Sequence, residues 1–155
     1  MVELGCAIAS DLESPRTGGC GCGRVRFEAR ALLWASYCHC RRCQIRTGAP
    51  ASVQARVEPG SVQVVAGEDL LRAWAPEDGL EKVFCGECGS ALFGRRRGGA
   101  IVRVRLGAFD GDPGIAPVAH QYVAYAAPWA KIPDDGLPRY PEQPPADGPP
   151  GAAGR

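Results

Sequence analysis

The sequence predicts a mainly β fold made of several short, curled antiparallel sheets with few short helical turns. Three observations indicate this class. The chain of 155 residues contains 21 glycines and 14 prolines, so turns should be frequent. Apolar residues alternate with polar ones in several short segments, and no segment keeps a long helical period. Hydrophobic residues make up 45%, enough for one domain with a buried core.

The first half of the chain predicts a strand, a cysteine cluster and one helical turn. Residues 1–17 read as an irregular lead-in with room for one edge strand, and 18–23 as a glycine-rich turn. In the strand predicted over 24–29, Val25, Phe27 and Ala29 share one face. Residues 32–38 form a second predicted strand. A helical turn over 41–48 should end at Gly48.

The second half predicts further strands and a tail without a core. The predicted strands cover 51–57, 61–67, 70–75, 81–85, 90–94, 100–107 and 120–126. A single helical turn is predicted at 128–132. Residues 141–155 are rich in proline and glycine and are predicted to be disordered. The folded domain should therefore extend over residues 18–140.

The charge and the termini exclude several classes of protein. Lys and Arg together number 18 against 17 for Asp and Glu, which gives no reason to expect nucleic acid or an anionic membrane as a partner. No apolar run is long enough to span a bilayer. The first residues lack the basic and apolar regions of a signal peptide, so we expect a cytoplasmic protein.

Seven of the eight cysteines occur in three clusters with the patterns C-x-C, C-x-C-x-x-C and C-x-x-C. Disulfides are the alternative, but the cytosol keeps thiols reduced. Spacing this close is typical of ligands that converge on a metal ion. The clusters therefore predict metal sites.

The segment FCGECGS at 84–90 predicts one half of a closed zinc site. In a C-x-x-C-G knuckle the two thiolates converge on one ion, and the following glycine allows a left-handed turn. The C-x-C pair at the start of the domain is the natural source of the other two ligands. The predicted structural site is Cys20, Cys22, Cys85 and Cys88.

The remaining cluster, Cys38, Cys40 and Cys43, predicts an open site. Three protein ligands with a free fourth position are typical of catalytic zinc. His39 is either a fourth ligand or a residue that packs and orients a neighbour, and its position in an extended segment favours the second role. Cys6 is another candidate ligand, although a free thiol suits its unpatterned surroundings better.

Three thiolates on Zn²⁺ leave a net charge near −1, so a water bound there would be only weakly acidified. This disfavours hydrolysis by a metal hydroxide and favours a soft ligand such as an external thiolate. Arg41, Arg42 and Arg46 lie nearby in the sequence. They either offset the negative charge and attract a carboxylate-bearing thiol, or form a solvated basic turn.

The order of these motifs resembles the glutathione-dependent formaldehyde-activating enzymes, a family that includes the centromere protein V-like proteins. The segments that carry the resemblance are GGCGCGRVRFE (18–28), CHCRRCQIRTGAP (38–50), FCGECGSALF (84–93), LGAFD (106–110) and APWAKIPDDGLPRY (127–140). The resemblance implies an Mss4-like fold stabilised by zinc, with two zinc ions per chain. It also implies that glutathione and formaldehyde combine to S-hydroxymethylglutathione, formally a carbon–sulfur lyase reaction in reverse.

Two functions follow from these patterns. The first is a zinc-dependent carbon–sulfur lyase that acts on a thiol–aldehyde adduct, with the thiol sulfur held at the three-cysteine site and the proton relayed by a water or by His39. The second is a non-catalytic zinc-binding module that docks a protein, for which an open coordination position has no use. His120 is either a proton shuttle or an ordinary histidine, and Trp129 either fills the core or lines the thiol pocket.

Overall fold

The computed structural model describes residues 14–152, and they form ten strands and one short α-helix. The strands are β1 (Arg16–Gly19), β2 (Arg26–Ala29), β3 (Leu32–Cys38), β4 (Ser52–Val57), β5 (Val62–Ala66), β6 (Leu71–Trp74), β7 (Glu81–Cys85), β8 (Ala91–Arg95), β9 (Ile101–Arg105) and β10 (Pro117–Gln121). The helix α1 covers Arg41–Thr47. The predicted mainly β class is confirmed, in a form consistent with an Mss4-like fold.

The strands form two sheets. A three-stranded sheet has the order β1-β2-β5, and a seven-stranded sheet has the order β10-β3-β4-β9-β8-β7-β6. All pairings are antiparallel except that of β10 with β3, which is parallel. This parallel edge is a departure from the antiparallel pairing predicted from the sequence.

The core lies between the inner faces of the two sheets. The predicted face of Val25, Phe27 and Ala29 is fully buried, each residue having 0% of its surface exposed. The ring of Phe27 packs edge-on against Phe93 at 5.2 Å and against Phe109 at 5.4 Å, measured between ring centroids. Such edge-to-face pairs add to the stability from area burial alone.

Two predicted elements differ in the structure. The late strand lies at Pro117–Gln121, not at 120–126, because Tyr122 takes a left-handed conformation with φ of 58° and turns the chain out of the sheet. Residues 123–125 then form a 3₁₀ turn. The helical turn expected at 128–132 is only a hydrogen-bonded turn, and Trp129 is 65% exposed, so this residue does not fill the core.

Ordered structure continues beyond the predicted domain at both of its ends. The strand β1 begins at Arg16, inside the predicted lead-in, and forms an edge of its sheet. The tail follows a defined path as far as residue 152, although disorder was predicted for it. The Tyr125 hydroxyl donates to Glu142 at 2.7 Å, and Arg56 donates to the carbonyl of Ala146 at 2.8 Å. These contacts, made to distant parts of the chain, order a segment that has no core of its own.

The proposed domain limits of 18–140 remain a prediction, and Cys6 lies outside the residues that the structure describes. Over residues 14–152 no helix is long and apolar enough to cross a membrane.

Candidate metal centres and the adjoining cavity

The four cysteines predicted to form a closed site are brought together by strands that are distant in sequence. Two of them follow β1, one ends β7 and one follows it. Their sulfurs all lie within 4.8 Å of one another. The Sγ atoms of Cys22 and Cys85, 63 positions apart, are separated by 3.9 Å. Tetrahedral zinc with Zn–S bonds of about 2.3 Å requires sulfurs about 3.8 Å apart, so the donor set fits zinc.

The chain around this cluster is shaped to hold the sulfurs. Gly89 has φ of 76°, and its N–H closes the knuckle by donating to the Cys85 carbonyl at 2.8 Å. The backbone N–H of Val25 points at the sulfur of Cys20 at 3.3 Å. The hydroxyl and backbone of Ser90 lower the pKa of the Cys88 thiol to about 5. These contacts favour thiolates, the form that binds metal.

The three cysteines predicted to form an open site also converge, with their sulfurs within 4.8 Å of one another. Cys38 ends β3, and Cys40 is the N-cap of α1, where its sulfur accepts from the N–H of Cys43 at 3.3 Å. The helix therefore turns the third thiol back toward the first two. Gly48, with φ of 67°, ends the helix as predicted.

The sulfur of Cys43 is the natural site of negative charge in this cluster. Hydrogen bonds from the thiols of Cys38 and Cys40 lower the pKa of Cys43, and the charge of Arg105 lowers it further. The hydrogen bonds that Cys38 makes with Cys40 and Cys43 raise its own pKa.

Buried donors around the open cluster match a group that carries negative charge. The atoms Nη1 of Arg46 and Nη1 of Arg105 are buried without a hydrogen-bond partner in the part of the chain that the structure describes, and the Ser52 hydroxyl lies against the thiol of Cys43. An unsatisfied buried donor costs about 1–3 kcal/mol. Three thiolates on a divalent ion have the charge that compensates these donors. The cluster therefore fits a soft divalent metal such as zinc.

His39 lies beside this cluster but is not part of it. Its Nε2 is 2.9 Å from Nδ1 of His120, whose Nε2 is 2.9 Å from Oδ2 of Asp135. The two imidazoles are 5% and 1% exposed. Burial lowers the pKa of His39, and the hydrogen bond from His120 lowers the pKa of Asp135. The orienting role favoured by the sequence agrees with these contacts.

A cavity of about 760 Å³ opens next to the three-cysteine cluster. Cys38, Cys40 and Cys43 line it, whereas His39, Trp129 and the four-cysteine cluster are not among its lining residues. Small-molecule sites typically have volumes of about 300–1,000 Å³. The three-cysteine cluster is thus accessible to a small molecule.

The cavity contains both predicted and unpredicted charged residues. Of the three arginines near the cluster in sequence, Arg41 and Arg42 line the cavity and Arg46 does not, and Arg42 is held by Asp78 at 2.8 Å. Lys82 and Arg103, on β7 and β9, also line it and were not singled out. The only sequence signal for Arg103 was its place on the polar face of an alternating strand.

Comparison with known proteins identifies the family of the chain and related solved structures. Residues 15–125 match the family described as glutathione-dependent formaldehyde-activating enzyme. A crystal structure of a Rhodobacter sphaeroides protein is 28% identical, covers 63% of this chain and 92% of its own, and has a TM-score of 0.49. No functionally curated protein matches the chain.

Proposed function

Because the chain belongs to the glutathione-dependent formaldehyde-activating enzyme family, we propose that it is a zinc-dependent carbon–sulfur lyase acting on the adduct of a small thiol and an aldehyde. The supporting observation is the position of the three-cysteine cluster, which lies on the wall of a cavity large enough for such a thiol. The name of the family makes glutathione and formaldehyde the first substrates to test.

Cys38, Cys40 and Cys43 would hold the catalytic zinc, which supplies a soft acceptor that keeps a thiol sulfur as thiolate near neutral pH. Cys20, Cys22, Cys85 and Cys88 would hold the structural zinc, giving two ions per chain. The charge of Arg105, together with the buried donor of Arg46, offsets the negative charge of the thiolates.

The reaction forms one bond between the thiol sulfur and the aldehyde carbon. The carbonyl π pair moves to oxygen, and the proton released by the thiol ends on that oxygen to give a hydroxymethyl thioether. The reverse direction breaks the same carbon–sulfur bond. We assign the proton transfer to water in the cavity, because the Nε2 of His39 is already engaged by His120. His39 then acts by holding the backbone between Cys38 and Cys40.

A non-catalytic zinc module is the competing function. In such a module the zinc would be closed by four protein ligands and would need no cavity. The four-cysteine cluster meets that description. The three-cysteine cluster does not, since its described surroundings provide no fourth ligand within the group of sulfurs.

The test is exchange NMR of a thiol–formaldehyde mixture at equilibrium with the zinc-loaded protein. We expect the protein to accelerate exchange between free and hydroxymethylated glutathione, and Cys40→Ser to abolish the acceleration while leaving one zinc bound. Val65→Ser is the control, since it changes an exposed residue of β5 outside both clusters and outside the cavity lining. No acceleration with glutathione or with any other small thiol of a panel would refute the lyase.

A further inference from the structure

A row of positively charged side chains crosses the cavity face of the seven-stranded sheet. Arg56 of β4 pairs with Arg103 of β9, Arg103 pairs with Gly94 of β8, and Gly94 pairs with Lys82 of β7. Residues opposite one another on adjacent strands point to the same face. The three cations of the row all line the cavity. The adjacent row, containing Val104, Phe93 and Val83, is buried in the core.

Two members of this row have no counterion. In the described part of the chain, neither Lys82 nor Arg103 has a hydrogen bond or ion pair, and both are partly buried. Burial lowers the pKa of the Lys82 ammonium and of the Arg103 guanidinium. A partly desolvated cation without a partner is unfavourable unless an anion binds beside it. An anionic ligand would remove this cost at both residues.

The other charged groups of the cavity are already engaged, except Arg96, whose exposed side chain lies in the loop between β8 and β9. Arg56 donates to the carbonyl of Ala146 and stacks over Trp34 at 5.2 Å. Two acidic residues line the cavity as well. Asp78 is held by Arg42 at 2.8 Å, and Glu142 accepts from the Tyr125 hydroxyl at 2.7 Å. Neither acid forms an ion pair with Lys82 or Arg103, although the charge of Lys82 adds to that of Arg42 in lowering the pKa of Asp78.

Gly94 separates the two cations in the register. It lies between their strands, so the Cα atoms of Lys82 and Arg103 are two strand spacings, about 10 Å, apart. A Cβ at position 94 would lie 3.1 Å from the Cβ of Arg103 and 3.3 Å from Leu80, so these two side chains already cover the glycine. Lys82 and Arg103 have side chains long enough to converge on one anion across this distance.

The register also measures how far this pair lies from the open cluster. Ser52 of β4 pairs with Cys38, and Arg56 of the same strand pairs with Arg103. Four residues of strand span about 13 Å. The long side chains of Lys82 and Arg103 extend beyond their own row, and at both residues the charge of Cys43 opposes the lowering of the pKa by burial. An anion held by this pair can therefore belong to the same small ligand as a sulfur held by the cysteines.

We propose that Lys82 and Arg103 form a carboxylate-binding site that favours thiols carrying a carboxylate over thiols without one. This inference rests on the proposed function for the identity of the sulfur site, but the anion site is defined by its own residues. Thiols without a carboxylate would reach the cysteines without using this site.

The test measures binding of two ligands by calorimetry to the zinc-loaded full chain. S-methylglutathione has both carboxylates but no thiol, and its diethyl ester lacks the carboxylates. We expect the acid to bind at least about ten-fold more tightly than the ester, and Lys82→Met or Arg103→Met to remove most of that advantage. Lys131→Met, an exposed lysine outside the cavity lining, is the charge-matched control and should change nothing.

The outcomes separate this site from the proposed reaction. If the acid and the ester bind the native protein equally, the carboxylate site is refuted, and this comparison needs no variant to fold. Equal losses for both ligands in the Lys82 and Arg103 variants would also refute it. If the variants lose the acid selectively while the native protein shows no lyase activity, the site stands and the proposed reaction fails.

Discussion

The two cysteine clusters should respond in opposite ways to the loss of one ligand. Cys85→Ser removes a ligand that is fully buried at the end of β7 and whose partners follow β1. Cys40→Ser removes a ligand from a cluster in which the next cysteine is only three positions away. We expect the first change to unfold the protein and the second to leave it folded.

The magnitude follows from the spacing of the ligands. A metal stabilises the fold only to the extent that it binds the folded chain better than the unfolded one. Closing a loop of 63 residues costs about 3 kcal/mol more than closing one of three residues. The unfolded chain can therefore keep much of the local site, but it loses the long-range one. Structural zinc contributes on the order of 10 kcal/mol, against a domain stability of about 5–15 kcal/mol.

The surroundings of positions 85 and 40 should increase the difference in stability between the two variants. Serine at position 85 places a hydroxyl in the buried core, which costs about 1–3 kcal/mol if it is unsatisfied. Serine at position 40 keeps an acceptor for the N–H of Cys43 and is a favourable N-cap residue. The helix α1 should therefore persist in Cys40→Ser.

The assay compares circular dichroism, melting temperature and zinc content of both variants with those of the native protein. We expect Cys85→Ser to be unfolded or insoluble. Cys40→Ser should melt cooperatively with one zinc per chain and no thiol–aldehyde activity. A tolerated Cys85→Ser beside an unfolded Cys40→Ser would show that the structural and catalytic assignments are reversed.

Two further predictions concern the C-terminal tail and the dependence of stability on pH in acid. Truncation after residue 140 removes Glu142 and the carbonyl that Arg56 uses, so the melting temperature should fall and thiol affinity should weaken; unchanged values for both would exclude the tail as part of the cavity wall. The guanidinium of Arg26, followed by the hydroxyl of Thr17, lowers the pKa of Asp110. The resulting stabilisation is complete above the ordinary Asp pKa of about 3.9 and is lost as the pH falls through the lower folded value. Asp110→Asn should therefore lower the melting temperature at pH 6, and the difference from the native protein should disappear only well below pH 4, once the pH passes the lower folded pKa; a difference independent of pH would contradict this.

Local patterns were sufficient for much of the site. The division of seven cysteines into four and three follows from their spacing, and the structure brings together the same two groups. The helix α1 was predictable because its end at Gly48 is encoded by a residue that accepts φ of 67°. The buried face of Val25, Phe27 and Ala29 was predictable because the side-chain period of a strand is two. Each of these features depends on neighbours within a few residues.

Long-range pairing determined the rest. His39 meets His120 only because β10 joins β3 in parallel, 81 positions along the chain, and no local motif encodes that pairing. Lys82 and Arg103 share the cavity because both pair with Gly94 across β8. Spacing alone thus determined which cysteines could share a metal. The charges that surround the three-cysteine cluster and the cavity depend on strand register, which is set by packing of the whole sheet and not by any short segment.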